Sequence, residues 1–315
     1  MKEGERRGVP SADVTLLPAL LAALLFLAGP DPADPAAWLR ESVLGRLNQE
    51  RAAAGLRPLA LDDRLVRVAQ QEAEEIARRG VRAYEEAELR ETFRQTRHRL
   101  ARAAYEPHGW SESWALGGGG DLERIVGGAD DVLAQALDGD YSHLGVGFSR
   151  RDGLPVYTFL LAWPEAEFFA RQTTGLADPE AARQAMLAQA NALRRAAGAP
   201  PLALDPRLNA AAQRHAEDML ARSFYAHDTP EGEGPGERVR AAGYPAPALV
   251  GENIARGALS VEEALAGWTR SREHRKNLLH GAFTGLGIGY AAGRDADGWT
   301  VVWVQDFARP KTPGT

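Results

Sequence analysis

Asn191-Ala-Leu-Arg-Arg-Ala-Ala-Gly-Ala-Pro-Pro-Leu-Ala-Leu-Asp205 has a counterpart 143 residues earlier, Asn48-Gln-Glu-Arg-Ala-Ala-Ala-Gly-Leu-Arg-Pro-Leu-Ala-Leu-Asp62. The asparagine, Arg51/Arg194, Ala53/Ala196, Ala54/Ala197, Gly55/Gly198, Pro58/Pro201 and the closing Leu-Ala-Leu-Asp coincide. The match resumes at an offset of 142, where Leu144-Gly-Val-Gly-Phe148 answers Leu286-Gly-Ile-Gly-Tyr290. Two matches in one order at nearly one offset mark an internal duplication. The chain therefore reads as two copies of one domain, residues 31–170 and 171–315, joined near Arg171 to Asp178.

Local signals agree within each copy. A helix over Trp38 to Ala54, or Pro179 to Ala197, is stopped by a glycine that tolerates left-handed geometry. Asp62 and Asp205 then cap a second helix, and Pro206 suits its first turn. Leu208, Ala211, Ala212, His215, Ala216, Met219 and Leu220 recur at helical spacing. Leu65, Val68, Ala69, Ala73, Ile76 and Ala77 do the same in the first copy. Each copy closes on a hairpin: Leu286 to Ala291 with Trp299 to Phe307, and Leu144 to Phe148 with Val156 to Trp163. Pro155 places the last of these strands at a sheet edge, because proline lacks a ladder donor. Helices first and strands last predict an α+β layered domain.

Composition removes whole classes of function. The 315 residues contain no cysteine, which excludes disulfides, thiolate metal sites and cysteine nucleophiles. The net charge of −6 gives no reason to expect nucleic acid. The charge is uneven: residues 31–170 carry 17 basic against 24 acidic side chains, residues 171–315 carry 17 against 16. An acidic first copy favours solubility and offers an interaction surface. Lys2, Arg6 and Arg7 precede an apolar run from Leu16 to Ala28, followed by Gly29. Residues 1–30 thus read as a secretory signal peptide or an N-terminal anchor, the only segment expected to touch a membrane. The expected location is extracellular or at the cell surface.

Chemistry concentrates between residues 225 and 290. Tyr225-Ala-His227-Asp-Thr-Pro230 leads through a Gly-rich loop to Glu237-Arg-Val-Arg-Ala-Ala-Gly-Tyr244. Then come Gly251-Glu252-Asn253-Ile254-Ala255 and Trp268-Thr-Arg-Ser-Arg-Glu-His274-Arg-Lys-Asn277-Leu-Leu279. With these motifs the sequence resembles the CAP superfamily of cysteine-rich secretory, antigen 5 and pathogenesis-related proteins, most closely its cysteine-free bacterial SCP-domain branch. The resemblance covers Ala181 to Phe307 directly and Leu39 to Trp163 through the repeat. It implies two tandem three-layer α-β-α sandwiches, each with a central antiparallel sheet. It also implies a cleft holding two histidines and two glutamates. His227, Glu252 and His274 match three of those positions; the fourth falls near Arg270 or Ser271, where no glutamate stands. Glu237 and Glu273 are nearby acids without a matching position.

Two imidazoles and a carboxylate also make a familiar open zinc set, whatever the family. His227 and His274 are the candidate ligands of a divalent metal such as zinc. Glu252 is a further ligand or a proton acceptor, hence the one candidate catalytic residue. The competing reading is structural, with Glu252 fixing the loops that carry the histidines. No serine sits in a nucleophile motif. His215 lies on an apolar helix stripe and reads as a core histidine. His280 reads as a cation at a helix C-terminus, and Trp268, Trp299 and Trp303 as core.

The first copy lacks the site. His274 aligns with Val132 and Trp268 with Val126, and His227 falls between Tyr84 and Ala87, where no histidine occurs. Only Glu112 stands opposite Glu252; His98 and His108 belong to no matching motif. The sum favours a binding protein over an enzyme. The cleft residues would be His227, Glu252, Asn253 and His274, and the resemblance implies lipid or sterol, cell-wall material, protein or divalent metal as ligand. The alternative is a metal-dependent hydrolase using His227, His274 and Glu252.

Overall fold

A computed structural model describes residues 35–80, 89–117, 121–127 and 132–311. The signal or anchor segment therefore lies outside the described residues. Among those described, no helix is long and apolar enough to cross a membrane.

The first unit contains α1 (Pro35–Ala53), β1 (Ala60–Leu61), α2 (Asp63–Arg79), α3 (Leu89–Arg102), β2 (Pro107–Leu116), α4 (Leu122–Gly127), α5 (Val132–Ala136), β3 (His143–Arg151) and β4 (Leu154–Pro164). After α6 (Glu165–Gln172) the second unit repeats that order with α7 (Pro179–Ala196), β5 (Ala203–Leu204), α8 (Pro206–Arg222), α9 (Pro235–Ala241), β6 (Pro247–Arg256), α10 (Val261–Arg270), α11 (Arg272–Leu279), β7 (Gly285–Asp295) and β8 (Gly298–Pro310). The units divide between Glu165 and Ala166. This is five residues before the boundary read from the linker residues, because Phe169 packs against Trp299 with the rings tilted by 37° and joins the second core with Leu176.

Each unit holds one four-stranded sheet, in the orders β1-β3-β4-β2 and β5-β7-β8-β6. Three strands are antiparallel, and the two-residue edge strand runs parallel to its neighbour, Ala203 beside Gly285 and Leu204 beside Leu286. Pro155 is not on an edge, since β4 lies between β3 and β2. It is tolerated at the second position of β4, just before the register with β2 starts at Leu116↔Val156.

Alternation along β8 builds the three layers. Val301, Trp303 and Phe307 face the core beneath α7, α10 and α11, which includes Met186, Leu265 and Trp268. Val302 and Val304 face Ala212, Ala216 and Met219 of α8 on the other side. The helical stripes read from the sequence are those buried faces, from Leu208 to Met219 in α8 and from Leu65 to Ile76 in α2. Asp62 and Asp205 cap α2 and α8 by accepting backbone N–H bonds. Gly55 and Gly198 end the first helices at φ of 70° and 73°.

Two further devices set the spacing. An ideal Cβ at Gly287 would lie 2.3 Å from the Leu208 carbonyl carbon, and one at Gly289 2.2 Å from the Gln213 nitrogen. Glycine in Leu-Gly-Ile-Gly thus lets α8 press directly on β7. Arg194, fully buried, donates from Nε to the Pro200 carbonyl, from Nη1 to those of Leu278 and His280, and from Nη2 to that of Phe283. It clamps the C-terminal end of α11. Arg51 plays the same part with the carbonyls of Arg57, Ala136, Asp138 and Tyr141. The repeat showed both arginines; their four-carbonyl role emerges only in three dimensions.

Candidate functional site

The site sits where edge strand β6 meets α11 and the loop before α9. Glu252 projects from β6 toward α8 and α9, its side chain 1% exposed. Its Oε1 accepts a bond from His227 Nδ1 at 2.7 Å and its Oε2 one from Arg238 Nη2 at 2.6 Å. Arg238, on α9, also donates to the Glu233 carbonyl at 2.7 Å, tying the Gly-rich loop to the same cluster.

Asn253 points to the opposite face of the strand. It donates from Nδ2 to the His274 carbonyl at 3.1 Å and to Gln305 Oε1 at 3.3 Å. Asn277 donates to the Glu252 carbonyl and to Asn253 Oδ1, both at 3.0 Å. Trp268 Nε1 donates to the Ile254 carbonyl at 2.9 Å. Side chains of α10 and α11 therefore satisfy the outward carbonyls of an edge strand that would otherwise stay unpaired. This lattice places His274 in the first turn of α11.

His215 is a core histidine, as its position on the stripe implied. It is 1% exposed and donates from Nε2 to the Ala226 carbonyl at 3.0 Å, one residue before His227. It thereby helps hold the loop that presents His227.

The two outer histidines are tuned in opposite directions. The Glu252 hydrogen bond, outweighing partial burial, raises the His227 pKa above the ordinary imidazole value. Burial and the charge of His227 lower that of His274. Asp306 lies opposite Glu252 in the β6–β8 register and is fully buried. Desolvation and the neighbouring Glu252 raise its pKa well above the usual carboxylate range, with Arg238 opposing. One guanidinium, bonded to Glu252, thus serves two buried carboxyls.

The geometry corrects three expectations. Glu252 is not a free ligand or base, because both of its oxygens are engaged within the protein. Among the described residues no group of three or more His, Asp, Glu or Cys side chains is placed to hold a metal. The three-donor zinc set thus loses Glu252, whose oxygens are taken, and His227 has its Nδ1 committed to that carboxylate, leaving Nε2. His280 is not in the last helical turn: it is the C-cap of α11, one residue past Leu279, and its Nδ1 accepts the Ala282 N–H at 3.2 Å.

Other candidates fall outside the cluster. Glu237 bonds the Gly234 N–H at the start of α9, and Glu273 is exposed on α11. Arg270 is exposed, and Ser271 is the link between α10 and α11. Arg238 and Asp306 were missed as site residues. The repeat could have shown Arg238, since Arg99 precedes Glu112 much as Arg238 precedes Glu252. Asp306 breaks the apolar alternation Val302, Val304, Ala308 on a buried face, a sequence signal in itself.

The first unit retains more than its one glutamate. Glu112 occupies the Glu252 position, opposite Leu160 instead of an aspartate. Arg99 is ion-paired with Glu72, which stands where the second copy has His215. Glu112 accepts a bond from Thr96 at 2.7 Å, and burial raises its pKa. Each copy thus sets one arginine beside two carboxyl groups, half-buried in the first and buried in the second, the further carboxyl carried by the helix in one and by the sheet in the other. Val126 and Val132 fill the core where Trp268 and His274 stand. The counterpart of His227 lies outside the described residues. His98 is exposed on α3, and His108 pairs with Glu165 at 3.0 Å.

The family model described as "CAP: Cysteine-rich secretory protein family" matches residues 44–162 and 187–307, and the chain belongs to that family in both of its copies. It is 32% identical over 117 residues to Uncharacterized protein YkwD of Bacillus subtilis (strain 168), covering 37% of this chain and 43% of that protein. Among solved structures, an extracellular SCP-domain protein from Bacillus anthracis str. Ames is 29% identical with a TM-score of 0.36, over 49% of this chain and 52% of that one. An outer surface protein from Borrelia burgdorferi is 20% identical with a TM-score of 0.37, over 42% of this chain and 96% of that one. The chain thus spans about half or less of two of these three relatives.

Proposed function

We propose that the second domain is a binding module whose working face carries His227 and His274, and that it does not hydrolyse its ligand. The observation behind this reading is the double engagement of Glu252. A metal-dependent hydrolase needs a carboxylate free to take a proton from water. Here that carboxylate orients His227 and neutralises Arg238. Ligands in keeping with the relatives' extracellular and surface settings are cell-wall material, lipid or sterol, and protein. A divalent metal such as zinc would be held by the two imidazoles alone, leaving its other positions to water or to the ligand.

Zinc titration of the full chain tests the site. His227→Ala and His274→Ala are each expected to weaken binding at least tenfold without unfolding the protein. Affinity should fall toward about pH 5–6 as the rings protonate. A zinc-dependent turnover of peptide, ester or cell-wall substrate that is lost in both variants would refute the binding reading. Export belongs to the same proposal. Intact mass of the protein recovered from culture medium should show cleavage near residues 28–30, whereas a membrane-bound chain starting at Met1 would make the segment an anchor.

A further inference from the structure

The corner between α10 and α11 carries a dense positive charge that the histidine site does not use. Arg270, Arg272, Arg275 and Lys276 fall within seven residues with Glu273 as the sole acid, a net +3 with His274 neutral. All four cations are exposed, and none has an ion pair or side-chain hydrogen bond among the described residues. Elsewhere in the domain Arg207, Arg222, Arg240 and Arg256 each hold a carboxylate, and the exposed cations that hold none, Arg195, Arg214, Arg309 and Lys311, are not gathered into a run of this density. The other acids of α10 are engaged elsewhere: Glu262 bonds Gln189, and Glu263 bonds the Leu259 N–H. Arg272, Arg275 and Lys276 lie at i, i+3 and i+4 on one face of α11. Mutual repulsion across such a face is unfavourable unless something offsets it.

The duplication supplies a control. At the same offset of 142 the first copy has Gly128, Asp130, Leu133 and Ala134, with Asp131 in place of Glu273. The scaffold therefore does not require this charge, and the first copy reverses its sign.

We propose that this corner binds an extended polyanion with repeating phosphodiester groups, through Arg270, Arg272, Arg275 and Lys276. The four exposed groups are spread over two successive helices, Arg270 at the end of α10 and the other three on α11, which suits a chain of charges better than a single anion. Three are guanidiniums, whose planar fork matches phosphate oxygens in pairs. A membrane surface fits less well, because α10 and α11 themselves carry no exposed large apolar residue to anchor in lipid. Base recognition has no platform either, since the aromatic ring of α10, Trp268, is 1% exposed.

The test is fluorescence anisotropy of end-labelled poly(glycerol phosphate) with the full-length chain. Four phosphate contacts give a log–log salt slope of about −2.8, so affinity should fall about 50-fold between 50 and 200 mM salt. Replacing all four cations by alanine should abolish binding and its salt dependence, while Arg214→Ala, an exposed arginine on α8, leaves both unchanged. Replacing the three arginines by lysine should keep binding within about tenfold, separating charge from any change in folding. No binding by the wild-type chain at 50 mM salt, or equal binding by the alanine variant, overturns the proposal. Tighter binding to phosphatidylglycerol vesicles or to a single-stranded oligonucleotide of equal phosphate count overturns it in favour of a lipid surface or nucleic acid. The histidine site could fail its zinc test without affecting this result.

Discussion

Glu252→Gln is the most informative single change, because the carboxylate is shared by a histidine and an arginine that cannot both do without it. Arg238 is 5% exposed, and the 2.6 Å contact with Glu252 is its one ion pair in the described structure. Removing one partner of a buried pair costs about 3–5 kcal/mol, because the remaining charge is stranded. Asp306 moderates that loss. Burial is the first cause of its raised pKa and the Glu252 charge the second, so neutralising Glu252 brings that pKa down and lets Asp306 take over part of the pairing with Arg238. Glu252→Gln is therefore expected near the lower end, about 3 kcal/mol. Asp306→Asn removes the cost of a raised carboxyl pKa and should be at least as stable as wild type at pH 7. The double variant removes the reserve and should reach about 5 kcal/mol, at least 1 kcal/mol beyond additivity. Urea unfolding at pH 7 reads these differences, with the first domain's transition as an internal reference. An additive double variant, or a Glu252→Gln loss below about 1 kcal/mol, would refute the one-guanidinium, two-carboxyl account.

Other contacts set further expected outcomes. Gly289→Ala should destabilise the second domain by about 2–3 kcal/mol, because the methyl group meets the α8 backbone and not a yielding side chain; a thermal midpoint like wild type would contradict it. Arg194→Met should cost at least about 3 kcal/mol and speed amide exchange around Leu279 to Phe283, since four buried carbonyls lose a charged donor. In an NMR titration His227 should lose its proton above the ordinary imidazole range and His274 below it. The His227 contribution to stability is full below the unfolded-state pKa and is lost as pH rises through the raised folded value; that of His274 has the opposite sign. Coincident titrations would remove the Glu252 hydrogen bond from the account. Asp306, with its raised pKa, makes stability fall as pH rises above the ordinary carboxylate range, so Asp306→Asn should gain on wild type as pH increases.

The linear sequence determined the duplication, the helix stripes, the aspartate caps and the glycine stops, because each rests on residues adjacent in the chain or on one helical period. Through the family resemblance it also singled out His227, Glu252, Asn253 and His274, and it showed that the first copy has no histidine at the positions aligned with His227 and His274. Short-range signals misled where long-range packing decides. Pro155 reads as an edge residue but lies on a central strand, and linker residues near 171 hide Phe169, which belongs to the second core. The role of Glu252 was beyond the reach of spacing. Whether a carboxylate is a free base or a spent one depends on what its two oxygens touch, and Arg238 is 14 residues away in sequence. Asp306, 54 residues away, is brought beneath it by the β6–β8 register. Hydrogen bonds and charges act over a few ångströms whatever the sequence separation, so only the tertiary structure could show this carboxylate already satisfied.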